Sequence, residues 1–267
     1  MNMKIDELSY EENKLVYQAV DPYLSDKDIE ELSHNKFWEV RQNIARREDL
    51  SQDLVEKLAD DEHEYVRHAV ARRPDLPQEL VEKLSNDENG YVRSAVAYRM
   101  DLSHELVEKL ANDEDWLVRE GIARKDVLTT SLFEKLANDK DSEVRCAIAE
   151  REDLSQDLVE KLADDESWYV RSSVARRENL SQKLIEKLSN DEDDDVRYTV
   201  AEREDLPESV MQILADDEYW GVRQAVASRE DLPSSLIEKL ANDEDWEVRQ
   251  AIKTNRNIDR EPQDLTM

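Results

Sequence analysis

Residues 144 to 169 read VRCAIAEREDLSQDLVEKLADDESWY, and their apolar positions recur with a helical period. Leu154, Leu158, Val159 and Leu162 fall at i, i+4, i+5 and i+8 and define one helix face, leaving Gln156, Asp157, Glu160 and Lys161 on the other. The helix start is marked by Ser155, which Pro77, Pro207 and Pro233 replace elsewhere in the same frame; Ser and Pro share a preference for the first turn. The stop falls at Asp164, replaced by Asn86, Asn112, Asn138, Asn190 and Asn242, residues that tolerate the left-handed conformation closing a helix. The next residue is always Asp (Asp61, Asp87, Asp113, Asp139, Asp165, Asp191, Asp217, Asp243), which reads as the N-cap of a second helix. In this frame that helix carries Val144 and Ile148 with the small Ala147 and Ala149, which let neighbouring helices approach closely. Turns built on Asp and Asn leave little use for glycine (Gly90, Gly121 and Gly221 only), and no strand signal occurs.

The pattern repeats at fixed length. Val-Arg begins at Val40, Val66, Val92, Val118, Val144, Val170, Val196, Val222 and Val248, a step of 26 residues throughout. A repeat this short cannot bury a core alone and must stack on its neighbours. The prediction is an all-α solenoid of helix pairs forming one continuous stack. It has an N-terminal helix and degenerate capping repeat over residues 1–39, eight repeats over 40–247, and a C-terminal cap and tail over 248–267. The first repeat keeps Leu24, Ser25, Ile29, Leu32 and Trp38 but has Asp28 where Leu is usual. At the other end Lys253 and Asn255 replace Ala and Arg, which predicts a solvated cap followed by a frayed tail over Asn257–Met267.

The VR..VA stretch, the LP..LL..LA stretch and the Asp ahead of the next VR resemble the leucine-rich repeat variant family over about residues 40 to 252. The Asp-x-x-x-x-Val-Arg spacing, as in Asp61 to Arg67, is also similar to HEAT-type repeats. The resemblance implies a right-handed superhelix in which one element of each repeat can be a 3₁₀ helix. A member of the family carries an N-terminal iron–sulfur cluster, but residues 1–39 hold no cysteine, so that property is not carried over and no cofactor is expected.

Charge narrows the partners. Thirty-seven Lys and Arg against 67 Asp and Glu give a formal net charge of −30, which disfavours nucleic acid and anionic lipid and favours a protein or peptide with a basic surface. Single Cys146 excludes an intrachain disulfide framework and cysteine-based metal sites; at a position where other repeats have residues such as Gln, Ser, His or Tyr, it reads as an incidental exposed thiol. No signal peptide or membrane span is evident, so a cytoplasmic location is expected. His34, His63, His68 and His104 occupy four different frame positions, and no phosphate loop or nucleophile elbow occurs, so an enzyme is not expected. The run Asp191 to Asp195 lacks the glycine turn of a calcium loop, so no metal site is assigned.

Two features remain for function. The Arg after each Val (Arg41, Arg67, Arg93, Arg119, Arg145, Arg171, Arg197, Arg223, Arg249) suits a structural ladder with the Asp residues, because a guanidinium fork matches a carboxylate. All five tryptophans, Trp38, Trp116, Trp168, Trp220 and Trp246, share one frame position, two before the Val, where other repeats place Glu64, Gly90, Ser142 or Asp194. A position accepting Gly, Asp and Trp is not packed core, so these rings are predicted to be partly exposed. Tyr65, Tyr91 and Tyr169 follow, and helical spacing adds His68 and Arg72, Ser94 and Tyr98, Ser172 and Arg176, and Tyr198 and Glu202 to one ridge. Either each aromatic caps the neighbouring helix, or the ridge is a recognition surface of the kind Trp, Tyr and Arg dominate. On the second reading the partner-binding candidates are Trp38, Trp116, Trp168, Trp220, Trp246, Tyr65, Tyr91, Tyr98, Tyr169 and Tyr198. The function expected is a non-catalytic binding scaffold. The alternatives are an acidic nucleic-acid mimic, prompted by eight acidic against three basic side chains in residues 144–169, and a HEAT-like lyase or cofactor chaperone.

Overall fold

The computed structural model describes residues 10–255; the tail over Asn257–Met267 and the first nine residues lie outside them. Nineteen α-helices and no strands occur among the described residues. The chain divides between Leu132 and Phe133, inside the helix Thr130–Leu136, into two compact bodies. In each body a seven-residue helix such as Gln156–Leu162 alternates with an eight-residue helix such as Trp168–Ala175, and second helices of successive repeats pack side by side.

Both elements are α-helical, so the 3₁₀ element allowed by the family resemblance does not appear. Its geometry survives only as a tightened exit, where the Asp60 amide donates to Lys57 O at 3.1 Å and the Asp61 amide to Leu58 O at 3.2 Å. The short helix is capped by Ser155 or its equivalents, whose hydroxyl accepts the Leu158 amide, or by Pro77, whose fixed φ of −59° suits the same turn. Helix exit adds a side-chain bond to the stop expected at Asn86 and its equivalents. The C-cap residues Ala59 and Ser85 are right-handed, and Asn86 instead donates its side-chain amide to Glu82 O at 2.8 Å, closing an orphan carbonyl. In the first repeat Asp28 earns its place through a reciprocal box with Ser25, and that hydrogen bond holds its carboxyl below the usual range.

Apolar faces of both helices meet in the interior of each body. In the N-terminal body Val66, Val70, Leu84, Val92 and Val96 are buried; in the C-terminal body Leu162, Val170, Val174, Leu188 and Val200 are. Each such side chain contributes about 1.5 to 3 kcal/mol by leaving water.

Polar ladders set the register of these stacks. Arg67 donates Nε to Asp87 Oδ2 at 2.7 Å and Nη2 to Oδ1 at 2.9 Å, while its Nη1 reaches back to Asp61 O at 2.8 Å. The same clasp joins Arg41 to Asp61 and Arg93 to Asp113 in the N-terminal body. In the C-terminal body it joins Arg145 to Asp165, Arg171 to Asp191, Arg197 to Asp217 and Arg223 to Asp243. The ladder expected between Arg and Asp is therefore present, but Asp is not the helix N-cap. Asp61 accepts the His63 amide at 2.9 Å in a turn of its own, and the helix is capped two residues later, by His63, Asn89, Asp115, Asp141, Ser167, Asp193, Tyr219 or Asp245. Both oxygens of the ladder Asp are engaged by the guanidinium, so its capping work is confined to that turn.

A second ladder ends the long helices. Arg203 donates Nη1 to Ala175 O at 2.6 Å and to Arg177 O at 2.5 Å, and clasps Asp205 with its other nitrogens. Arg73 and Arg99 do the same in the N-terminal body. Asn255 holds this position last, buried, donating to Ala227 O at 3.3 Å and to Arg229 O. The solvated cap expected there is thus corrected at Asn255, whose shorter amide serves the carbonyls a guanidinium serves elsewhere, while Lys253 is exposed.

Candidate recognition ridge

The second helix presents its first two residues and the one seven beyond the second on an exposed or half-buried edge, where most sequence candidates lie. The position three beyond is corrected, being buried at His68, Ser94 and Ser172 by the side-by-side packing of second helices and half-buried at Tyr198. Trp116, Trp168 and Trp220 are 40%, 43% and 37% exposed and Trp246 is 62% exposed, whereas Trp38 is half-buried. Tyr91 and Tyr98 are exposed, and Tyr65, Tyr169 and Tyr198 are half-buried.

In the N-terminal body three of the candidates come together through two histidines that frame comparison had set apart. Trp38 stacks on His63 at 4.4 Å between centroids and meets Tyr65 at 5.0 Å; Tyr65 meets Tyr91 edge-on at 5.7 Å. Tyr91 in turn stacks on His68 at 3.9 Å. Here the capping reading of the aromatics describes Trp38, which packs on the N-cap ring of the next repeat. Burial, with the charges of Arg72 and Arg46, pushes the His68 imidazole down to about 4, so it is neutral at pH 7. Tyr98 donates its hydroxyl to Glu120, which also accepts from Arg124; burial and this carboxylate push the phenol up to about 12. His68, Arg72, Tyr91, Ser94, Tyr98 and Leu117 line an open hollow of about 500 Å³.

The C-terminal body brings fewer rings together. Trp168 meets Tyr169 at 5.8 Å and Trp220 meets Tyr219 at 5.7 Å, while Trp246 makes no ring contact among the described residues. Tyr198 lies in a hollow of about 720 Å³ lined also by Glu202, Glu204, Gln224, Glu230 and Asp231.

Cys146 is buried rather than exposed, which corrects the sequence reading. Its Sγ lies 3.0 Å from Ser173 Oγ, and burial pushes the thiol up, away from the thiolate form a nucleophile needs. Native protein should therefore react with a chromogenic disulfide reagent far more slowly than protein unfolded in denaturant. Reaction of the native chain at the rate of a free cysteine would show that this helix face is open to solvent.

The Asp191 to Asp195 run is committed to structure. Asp191 clasps Arg171, Asp193 caps the Asp195 amide, and no group of three or more His, Cys, Asp or Glu placed to hold a metal occurs among the described residues. No described helix is long and apolar enough to cross a membrane.

Comparison with known proteins places this geometry. The family described as leucine rich repeat variant matches residues 66–89 and 220–245. Among solved structures the chain is similar to a leucine-rich repeat variant described as having a novel repetitive protein structural motif. The two are 28% identical with a TM-score of 0.64, over 83% of this chain and 88% of that one. An X-ray structure of the Escherichia coli protein YibA (16% identity, TM-score 0.42, 93% of this chain and 97% of that) and an engineered protein (17%, 0.19, 88% and 97%) are too distant to support a structural argument. No curated protein matches the chain.

Proposed function

We propose that the chain, which belongs to the leucine-rich repeat variant family, works as a non-catalytic scaffold that binds a protein or peptide along the ridge of its second helices. The observation that carries this reading is the exposure of Trp116, Trp168, Trp220 and Trp246 at a frame position that Gly90, Ser142 and Asp194 fill without loss of the helix. Large rings that the stack does not require are the side chains that dominate binding energy at interfaces. The hollow around Tyr198, with Glu202, Glu204, Glu230 and Asp231, favours a segment carrying Lys or Arg, in keeping with a partner of basic surface.

A second reading rests on a different row. Glu62, Glu88 and Glu114 in the N-terminal body and Glu166, Glu192, Glu218 and Glu244 in the C-terminal body stand almost fully exposed at one frame position, which Lys140 interrupts. Such a row supports an acidic mimic of a nucleic-acid backbone.

A random peptide array separates these readings from each other and from neither. Peptides bound by the wild-type chain should bind the Trp116→Ser, Trp168→Ser, Trp220→Ser, Trp246→Ser variant at least about tenfold more weakly, since a truncated hot-spot Trp typically costs about 2 kcal/mol or more. Circular dichroism should show the helical fold retained. Binding unchanged in the variant, or no peptide bound at all, would remove the scaffold reading. Binding that ignores the tryptophans and collapses with salt would favour mimicry.

A further inference from the structure

In the N-terminal body most arginines are spoken for. Arg41, Arg67 and Arg93 clasp the ladder Asp of the next repeat, Arg47, Arg73 and Arg99 serve carbonyls and the Asp two residues on, and Arg124 pairs with Glu120. Arg46 and Arg72 differ. They hold the same frame position in successive repeats, at the ends of the helices Trp38–Ala45 and Glu64–Ala71, and both are exposed. Arg46 donates only to Asn43 Oδ1, at 3.3 Å, and Arg72 has no side-chain hydrogen bond or ion pair among the described residues. In a chain with 67 acidic side chains, two neighbouring guanidinia without a carboxylate stand out.

They also converge. Both line one hollow of about 360 Å³, whose rim carries Glu48 and the Asp75 already held by Arg73. Arg72 lines the adjoining hollow too, together with Tyr91 and Tyr98. Their fields meet at His68, buried between them, whose imidazole they help to hold neutral.

We infer that Arg46 and Arg72 form the charge-reading part of the ridge and take an extended peptide segment with acidic side chains two or three residues apart. The inference rests on the proposal that the second-helix ridge is a recognition surface, and it names the partner's chemistry along one stretch of it. A carboxylate is the group a guanidinium fork binds in two parallel hydrogen bonds. Packed helices lie about 8 to 10 Å apart, and an extended chain advances about 3.3 Å per residue, which sets the spacing of the acidic side chains. Net charge does not forbid this binding, because at physiological ionic strength charges beyond about 8 Å are largely screened. Locally the hollow is lined by four arginines, Arg46, Arg47, Arg72 and Arg73, against the carboxylates of Glu48 and Asp75.

The test uses the full chain and a fluorescein-labelled Gly/Ser peptide carrying Glu at every third position, read by anisotropy, with Gln and Lys versions as comparators. The Glu peptide should bind the wild type and bind Arg46→Gln/Arg72→Gln about tenfold or more weakly. Arg176→Gln, the exposed arginine of the same frame position in the C-terminal body, should leave it unchanged. The inference is overturned if the wild type prefers the Lys or Gln peptide, or if the double variant binds the Glu peptide as well as the wild type does. It also fails if millimolar inorganic phosphate alone displaces the Glu peptide, which would mark a small-anion site. Circular dichroism confirms that the variants fold. If array peptides bind through the tryptophans while the Glu peptide does not bind, the scaffold reading stands and this one falls.

Discussion

Arg171→Met should cost about 3 to 5 kcal/mol of stability, the range for stranding one member of a buried ion pair. Arg171 and Asp191 have side chains only 8% exposed, and the guanidinium donates Nε and Nη2 to the two carboxylate oxygens at 2.7 Å each. Pairing with Asp191 pushes the guanidinium further up, which holds Arg171 in its charged form. Replacing both members of such a pair by apolar side chains is often neutral. Here it should not be. Arg171 Nη1 also donates to Asp165 O at 2.8 Å and Glu166 O at 3.3 Å, and Asp191 accepts the Asp193 amide at 2.9 Å. Arg171→Met/Asp191→Leu therefore removes the stranded charge but leaves backbone groups without partners, at about 1 to 3 kcal/mol each, and should recover only part of the loss. The exposed Lys187–Asp164 pair gives the contrast, since Lys187→Met should cost less than about 1 kcal/mol. Chemical denaturation of the three variants measures all of this. A double variant as stable as the wild type would show that the carbonyl and amide bonds of the ladder contribute nothing.

What was legible in the sequence followed from whether both partners of an interaction carry a letter. The Arg–Asp ladder was readable because each rung pairs two side chains that recur in every repeat. The ladder of Arg73, Arg99, Arg177 and Arg203 was not, because its acceptors are backbone carbonyls, which any residue supplies. Asn255 misled for the same reason: its polar letter suggested solvent, yet it fills a donor's place in that ladder. The invariant Asp points to a helix N-cap two residues too early, because the true cap varies in letter from Asp115 to Tyr219 and makes no side-chain bond in the latter. At the ridge, exposure of Trp116, Trp168, Trp220 and Trp246 could be read from the tolerance of their position for Gly and Asp. The stacking of Trp38 on His63 and of Tyr91 on His68 could not, because rings at different frame positions meet only once the repeats stack. Cys146 hides by the same logic: its frame position carries mostly polar letters, yet Gln42, His68, Ser94, Glu120 and Ser172 are buried there too, and Ser173 of the next repeat lies against the thiol.

Leu136→Ala should destabilise the C-terminal body by about 2 to 5 kcal/mol, the range for emptying a buried Leu site. Leu136 is fully buried at the end of Thr130–Leu136, whereas Glu134, two residues earlier on the same helix, is exposed and offers the stack only its carbonyl, which accepts from Asn138 at 2.5 Å. Glu134→Ala keeps that carbonyl, so it should change stability by no more than about 0.5 kcal/mol. The pair isolates burial from helix propensity, because Ala is the best helix former and either substitution alone improves the helix. Any loss in Leu136→Ala is then packing, transfer plus cavity, set against a small gain in propensity. Because each repeat contacts chiefly its neighbours, the loss should also be local in hydrogen exchange, speeding amides of the helices beside Thr130–Leu136 more than those of Trp246–Thr254. Equal denaturation midpoints for Leu136→Ala and Glu134→Ala would mean that the apolar face is assigned to the wrong side of the helix. The stack would then have to be held by its ladders alone.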